Sequence, residues 1–198
     1  LESLLDASVY NRQAADDPRI GSKLSEASLK IQLLEEEKRG ASCIGTTRKS
    51  GLALGCNLIH SLRFIRGQQS FPEPVPASCS ISDQVLVHTW SLPLEEGLLV
   101  RLYKYASYHS GTSDRTSELI QNSRTVCRKA AVDGFETLLK EQSAYLHSFW
   151  QDADIELCGA PEIQQAIRFN IFHILQSAGR NGKTSLAAKG LSGEGYEG

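Results

Sequence analysis

The sequence predicts an α+β chain of more than one domain, in which strands come first and helices follow. Three observations predict it. Up to about Thr112, short apolar runs are separated by turn residues, as in an antiparallel sheet. From Ser113 the apolar period lengthens to that of amphipathic helices, and from Pro161 a densely apolar helix leads into a glycine-rich tail.

In the first zone, Val85 to Trp90 follows the turn residues Ser80-Ile81-Ser82-Asp83, and Leu98 to Tyr103 follows Leu94-Glu95-Glu96-Gly97. Both runs read as strands, joined by a hairpin or short loop. The stretch Gln69 to Pro76 holds Pro72, Pro74 and Pro76, and proline cannot donate to a ladder. It is extended and not a central strand. The charge run Glu35-Glu36-Glu37-Lys38-Arg39 reads as a solvated surface feature.

In the second zone, Leu119, Ile120, Val126, Cys127 and Ala130 recur at helical spacing until Asp133-Gly134 interrupts them. A clearer stripe follows, made of Phe135, Leu138, Leu139, Gln142, Tyr145, Leu146, Phe149 and Trp150. The two helices predict a packed linker rather than a flexible one.

The third zone opens on an acidic segment, Gln151 to Glu156, expected as a strand. Asp152, Asp154 and Glu156 would then share one face, as an exposed polar face does. Carboxylates at i and i+2 point the same way, so they cannot flank a substrate from opposite sides. Pro161 suits a first helical turn. Ile163, Ile167, Ile171, Ile174, Leu175 and Ala178 then form one stripe and Phe169 with Phe172 a second face, so this helix needs burial on most sides. Gly179 supplies a stop. The tail carries Gly182, Gly190, Gly193, Gly195 and Gly198 around Lys189, Glu194 and Tyr196. That composition fits a ligand-facing loop and fits a solvated connector equally.

Composition sets limits. The 198 residues carry 21 basic and 23 acidic side chains, a net charge of −2, which gives no electrostatic reason for nucleic acid or an anionic membrane as partner. No apolar run approaches the ~20 residues of a membrane span. Five cysteines (43, 56, 79, 127 and 158) form no C-x-x-C pair. Neither a disulfide framework nor a metal site is signalled, and reduced, mostly buried thiols of a cytoplasmic protein are expected. The histidines at 60, 88, 109, 147 and 173 are scattered, and His173 is expected as a satisfied core residue. Gly193 to Gly198 fits G-x-G-x-x-G in letters only, since no strand immediately precedes it and no helix is visible after it. No G-x-S-x-G elbow is present. The chain contains no methionine, which predicts that the natural N-terminus lies further upstream.

Three stretches together carry a resemblance: Phe149 to Glu156, Pro161 to Asn170, and Ala187 to Gly198. They are similar to glycoside hydrolase family 65, the maltose, trehalose and kojibiose phosphorylases. Leu102 to His109 resembles the last strand of that family's N-terminal β-sandwich, and Ser50-Gly51-Leu52 with Cys56 and His60 resembles an earlier one. Ala160 stands where relatives often carry Asp, which removes a helix cap worth about 1 kcal/mol.

The resemblance implies three parts: residues 1–112 as the C-terminal part of the β-sandwich, 113–150 as a helical linker, and 151–198 as the start of an (α/α)6 barrel. It also implies an inverting phosphorylase that cleaves an α-linked glucose disaccharide with inorganic phosphate as co-substrate and no other cofactor. The product would be β-glucose 1-phosphate. The general-acid glutamate is expected beyond residue 198, so no catalytic residue and no metal ligand is assigned. Lys189, Glu194 and Tyr196 are the candidates for the glucose subsite. A homodimer is implied for the full-length protein, and no activity is expected of these 198 residues alone. A trehalase-like hydrolase and a non-catalytic sugar-binding or dimerisation module remain alternatives.

Overall fold

The computed structural model describes residues 1–9, 27–48, 50–71, 76 and 78–178. They fall into two compact units, residues 1–9 with 27–138, and residues 139–178.

The first unit is built on eight strands: β1 (Glu2–Asp6), β2 (Leu29–Glu37), β3 (Gly40–Thr47), β4 (Leu52–Arg66), β5 (Gln69–Phe71), β6 (Ser78–Ser82), β7 (Val85–Thr89) and β8 (Leu99–Thr112). All pairings are antiparallel. A smaller sheet has the order β1-β7-β6, and a larger one the order β2-β3-β4-β5 with β8 also on β4. Because β8 pairs with β4 from Leu52 to Ile65, β3 and β5 share the opposite edge of β4.

Strand β4 sets the layers. Its even-numbered side chains, Cys56 and Leu58 among them, join Ala41, Cys43, Leu34, Leu5 and Leu86 in the core between the two sheets. The odd-numbered positions Gly55 and Asn57 lie on the opposite face, toward helix α1 (Thr116–Asp133). This is the antiparallel β-sandwich, with a helical layer on the outer face of the larger sheet. Pro72 and Pro74 lie outside the described residues, and the short strand before them, β5, pairs with β4 alone among these.

Small residues seat α1. A Cβ on Gly55 would lie 3.0 Å from the Leu119 carbonyl carbon, and one on Gly111 would lie 3.1 Å from a Leu119 methyl. The helix settles there through Leu119, Ile120, Ser123 and Cys127, all buried. Ser107 and Ser123 lock the contact: their hydroxyls lie 2.8 Å apart, and each donates to the other residue's carbonyl, at 2.6 and 2.9 Å. Cys127 donates its thiol to the Tyr105 carbonyl at 3.3 Å. The apolar stripe read from spacing is therefore shifted. Val126 is 49% exposed, and Ser123 holds the inner position expected of an apolar residue.

The structure corrects another expectation. β7 and β8 do not pair, because β1 and β6 occupy both edges of β7, and the chain crosses through residues 90–98 to the other sheet. The tight hairpin is instead β6–β7, where Asp83 and Gln84 take φ of 49° and 66°, a two-residue turn whose twist matches the strands.

Gly134, at φ 81°, separates α1 from α2 (Phe135–Ala153), as the Asp133-Gly134 break predicts. In the second unit α2 ends at Ala153 and α3 runs from Pro161 to Ser177. The expected acidic strand is not there. Gln151, Asp152 and Ala153 close the last turn of α2, and Asp154 to Glu156 is irregular.

Candidate functional site

Lys189, Glu194 and Tyr196, with Gly179 and the rest of the glycine tail, lie outside the described residues. The described part of that zone is a loop pinned to α3. Arg168 grips Asp154 with two hydrogen bonds, Nε to Oδ1 at 2.8 Å and Nη2 to Oδ2 at 2.5 Å. These bonds hold the Asp154 carboxyl below the usual carboxylate range. Gln164 serves as a double clasp: its Oε1 accepts from the Leu157 N–H and its Nε2 donates to the Ile155 carbonyl, both at 2.6 Å. Asp154 is thus committed to Arg168, and Asp152 belongs to a helix. The three carboxylates expected on one face do not form one.

Pro161 takes the first turn of α3, and Ala160 offers no side-chain cap. An open groove of about 540 Å³ follows the helix, lined by Pro161, Gln164, Gln165, Arg168, Phe169 and Phe172. Ile163, Phe169 and Ile174 are each more than half exposed. His173 is half-buried against the Phe169 ring, with centroids 4.2 Å apart.

The first unit gathers polar groups on both faces of its larger sheet. Facing α1, Glu37 accepts hydrogen bonds from Ser42 at 2.5 Å, from Arg124 at 2.8 Å and from Asn57 at 3.2 Å, and Glu35 pairs with the same arginine. Burial alone would raise the Glu37 pKa, but those hydrogen bonds and the Arg124 charge outweigh it and lower it. Between the sheets, His60 of β4 meets His88 of β7 and Trp90 edge-on, with ring centroids 5.1 and 5.0 Å away. His60 Nε2 lies 2.8 Å from Ser3 Oγ. Burial, then His88 and Lys104, push the His60 pKa down to about 4. Burial lowers that of His88 as well. Both imidazoles are neutral near pH 7, and both are closed to substrate, at 3% and 0% exposure.

Beside His88 stand Cys79 and Glu36, and the potential ligand atoms of the three lie within 4.8 Å of one another. Sequence spacing hid this group. Cys79 and His88 are nine residues apart but directly opposite on β6 and β7, and Glu36 arrives from the other sheet. The acidic run reads in sequence as one solvated feature, yet strand alternation splits it. Glu35 and Glu37 go to Arg124, and Glu36 goes to the inter-sheet side.

Residues 1–149 match the family described as "Glycosyl hydrolase family 65, N-terminal domain". An α,α-trehalose phosphorylase of Thermoanaerobacter brockii is 36% identical over 196 residues, which cover 99% of this chain and 24% of that protein. A kojibiose phosphorylase of Halothermothrix orenii is 36% identical over 84 residues, 42% of this chain and 11% of that one. The solved structure of a putative kojibiose phosphorylase from human microbiome superimposes with a TM-score of 0.67 at 16% identity, over 89% of this chain and 21% of that one. The chain spans about a quarter of the length of the full-coverage relative. Among the described residues, no helix is long and apolar enough to cross a membrane.

Proposed function

The chain belongs to glycosyl hydrolase family 65, and from that premise we propose that the protein it comes from is an inverting disaccharide phosphorylase. The 36% identity to a trehalose phosphorylase across nearly the whole chain carries this reading. The reaction breaks an α-glucosidic bond of a glucose disaccharide with inorganic phosphate. A glutamate protonates the leaving oxygen from one side of the ring, and phosphate attacks the anomeric carbon from the other, giving β-glucose 1-phosphate. Phosphate occupies the place that a base-activated water takes in an inverting hydrolase. No residue of this chain is assigned that chemistry, and no cofactor besides phosphate is needed.

In this reading, residues 1–112 are sandwich, 113–150 linker and 151–198 the opening of the (α/α)6 catalytic domain. The apolar face that α3 leaves exposed supports the last assignment, because a barrel helix needs neighbours on that side. Lys189, Glu194 and Tyr196 are proposed to line the glucose subsite through hydrogen bonds and stacking. The whole enzyme is proposed as a cytoplasmic homodimer.

The test is the reading frame beyond the codon for Gly198 and the activity of its product on trehalose and kojibiose. Glucose 1-phosphate released only when phosphate is present supports the proposal. Phosphate-independent release of glucose would instead make the protein a hydrolase. An inactive product that binds disaccharide or self-associates would make it a binding module.

A further inference from the structure

The cluster of Glu36, Cys79 and His88 lies apart from anything the phosphorylase reaction requires, and its geometry is that of a ligand set. Cys79 and His88 face each other directly across β6 and β7. Cross-strand partners project from the same face about 5 Å apart. On this sheet that face turns to the larger one, where Leu86, two residues before His88, packs against Leu58 and Ala41. Glu36 is opposite Ala41 on β2 and so projects toward the same interior. Three strands and both sheets thus deliver one thiol, one imidazole and one carboxylate to a single point, with their donor atoms within 4.8 Å of one another.

A second observation is independent of that convergence. His88 has no exposed surface, and neither its Nδ1 nor its Nε2 has a hydrogen-bond partner. A neutral imidazole always carries one N–H and one bare lone pair, and leaving such groups unsatisfied in an interior forfeits their hydration with nothing in return. Native structures seldom tolerate this without an ion or water at the site. The rest of the environment does not supply a partner. His60 beside it is engaged with Ser3 through Nε2, and Trp90 is a neighbouring ring. Lys104, whose charge reaches His88, donates its Nζ to the Leu4 carbonyl, and the Nδ1 of His60 is itself unpaired, so Cys79 and Glu36 are the groups whose ligand atoms converge on His88.

We propose that Glu36, Cys79 and His88 bind a divalent cation of the zinc type and so clamp the two sheets of the sandwich. A mixed sulfur, nitrogen and oxygen set suits Zn²⁺ and disfavours Ca²⁺ or Mg²⁺, which take oxygen ligands. Three protein ligands leave one tetrahedral position, and the exposed Glu36 marks the rim through which the ion and a completing water enter. On binding, the Cys79 thiol passes its proton to solvent and the thiolate joins the metal, while His88 coordinates through a lone pair that has no other use. The physical competitor is a single water in the same place, which would satisfy His88 but require no thiolate.

Cobalt separates the two. Titrating the metal-free 198-residue chain with Co²⁺ should give a thiolate-to-cobalt charge-transfer band that saturates at one equivalent and disappears when Zn²⁺ displaces it. Cys79→Ser should abolish the band, and Cys158→Ser, at an exposed thiol, should leave it intact. Loss of a direct ligand in Glu36→Gln should weaken binding by about tenfold or more. Zn²⁺ should raise the Tm of the unaltered chain and not that of Glu36→Gln. Glu36 is exposed, so this variant decides the matter even where Cys79→Ser fails to fold. No charge-transfer band from a folded chain, a band that survives Cys79→Ser, or equal Tm shifts with and without Glu36 would each overturn the proposal. None of these readouts depends on phosphorylase activity.

Discussion

Arg124 shows how much one side chain can organise. It is the cation for both Glu35 and Glu37, and it also donates to Ser42, so it ties α1 to β2 and β3. Arg124→Ala leaves Glu37 half-buried without its cation, and urea unfolding should show a loss of about 2 kcal/mol. The thiols differ as strongly by position. Burial, with Cys56 beside it, pushes the Cys43 thiol up to about 11, and burial does the same for Cys127. At pH 8 the reactive thiolate is therefore scarce at both, whereas Cys158 is exposed. Alkylation followed by peptide mass mapping should modify Cys158 first and leave Cys43 and Cys127 untouched until the chain unfolds. That most of the thiols are buried was legible from their residue type, and Cys43, Cys56 and Cys127 are buried. Their partners were not, because Cys79 meets His88 only through strand register, and one-dimensional spacing carries no register.

Among elements, the helices were the easiest to read and their inner faces the hardest. The break at Asp133-Gly134 and the start at Pro161 follow from backbone chemistry that any context preserves. The choice of Ser123 over Val126 for the inner position of α1 depends on Ser107 across the contact, which no helical period encodes. The acidic segment after Trp150 misled for the same reason: its alternating carboxylates look like a strand, and Arg168, fourteen residues on, makes Asp154 part of a loop clasp. That clasp has a pH signature. A carboxyl held below its ordinary 3.8 contributes to the fold above that value, and the contribution is lost as pH falls through the lower folded value. A carbon-13 NMR titration should place the Asp154 midpoint under 3.8, and Arg168→Ala should return it toward 3.8. The seat of α1 is sensitive to bulk. Gly55→Val puts carbon against the helix backbone at Leu119 and Ile120, and overpacking of this kind should cost about 1–3 kcal/mol by thermal or urea unfolding.

At the scale of the molecule, the order of strands then helices was legible because the two periods differ plainly, and the sandwich agrees with it. The crossing from β7 to the other sheet was not legible, since local turn signals do not report that both edges of a strand are already taken. The family came from specific letters around α3 and the tail, and the match over residues 1–149 bears it out. The candidate subsite rested on the tail and lies outside the described residues. The 198-residue chain should show no phosphate-dependent cleavage of trehalose or kojibiose in a coupled glucose 1-phosphate assay, because the general acid is expected beyond it. The position of β4 carries one more implication. From Gly55 to Leu58 every residue is buried, one set of alternate residues serving the second sheet and the other serving α1. Most strands can drift through neutral substitutions on their wet side, but this one cannot. Its history should be written in paired changes, each accepted only alongside an answering change in the layer that the altered residue touches.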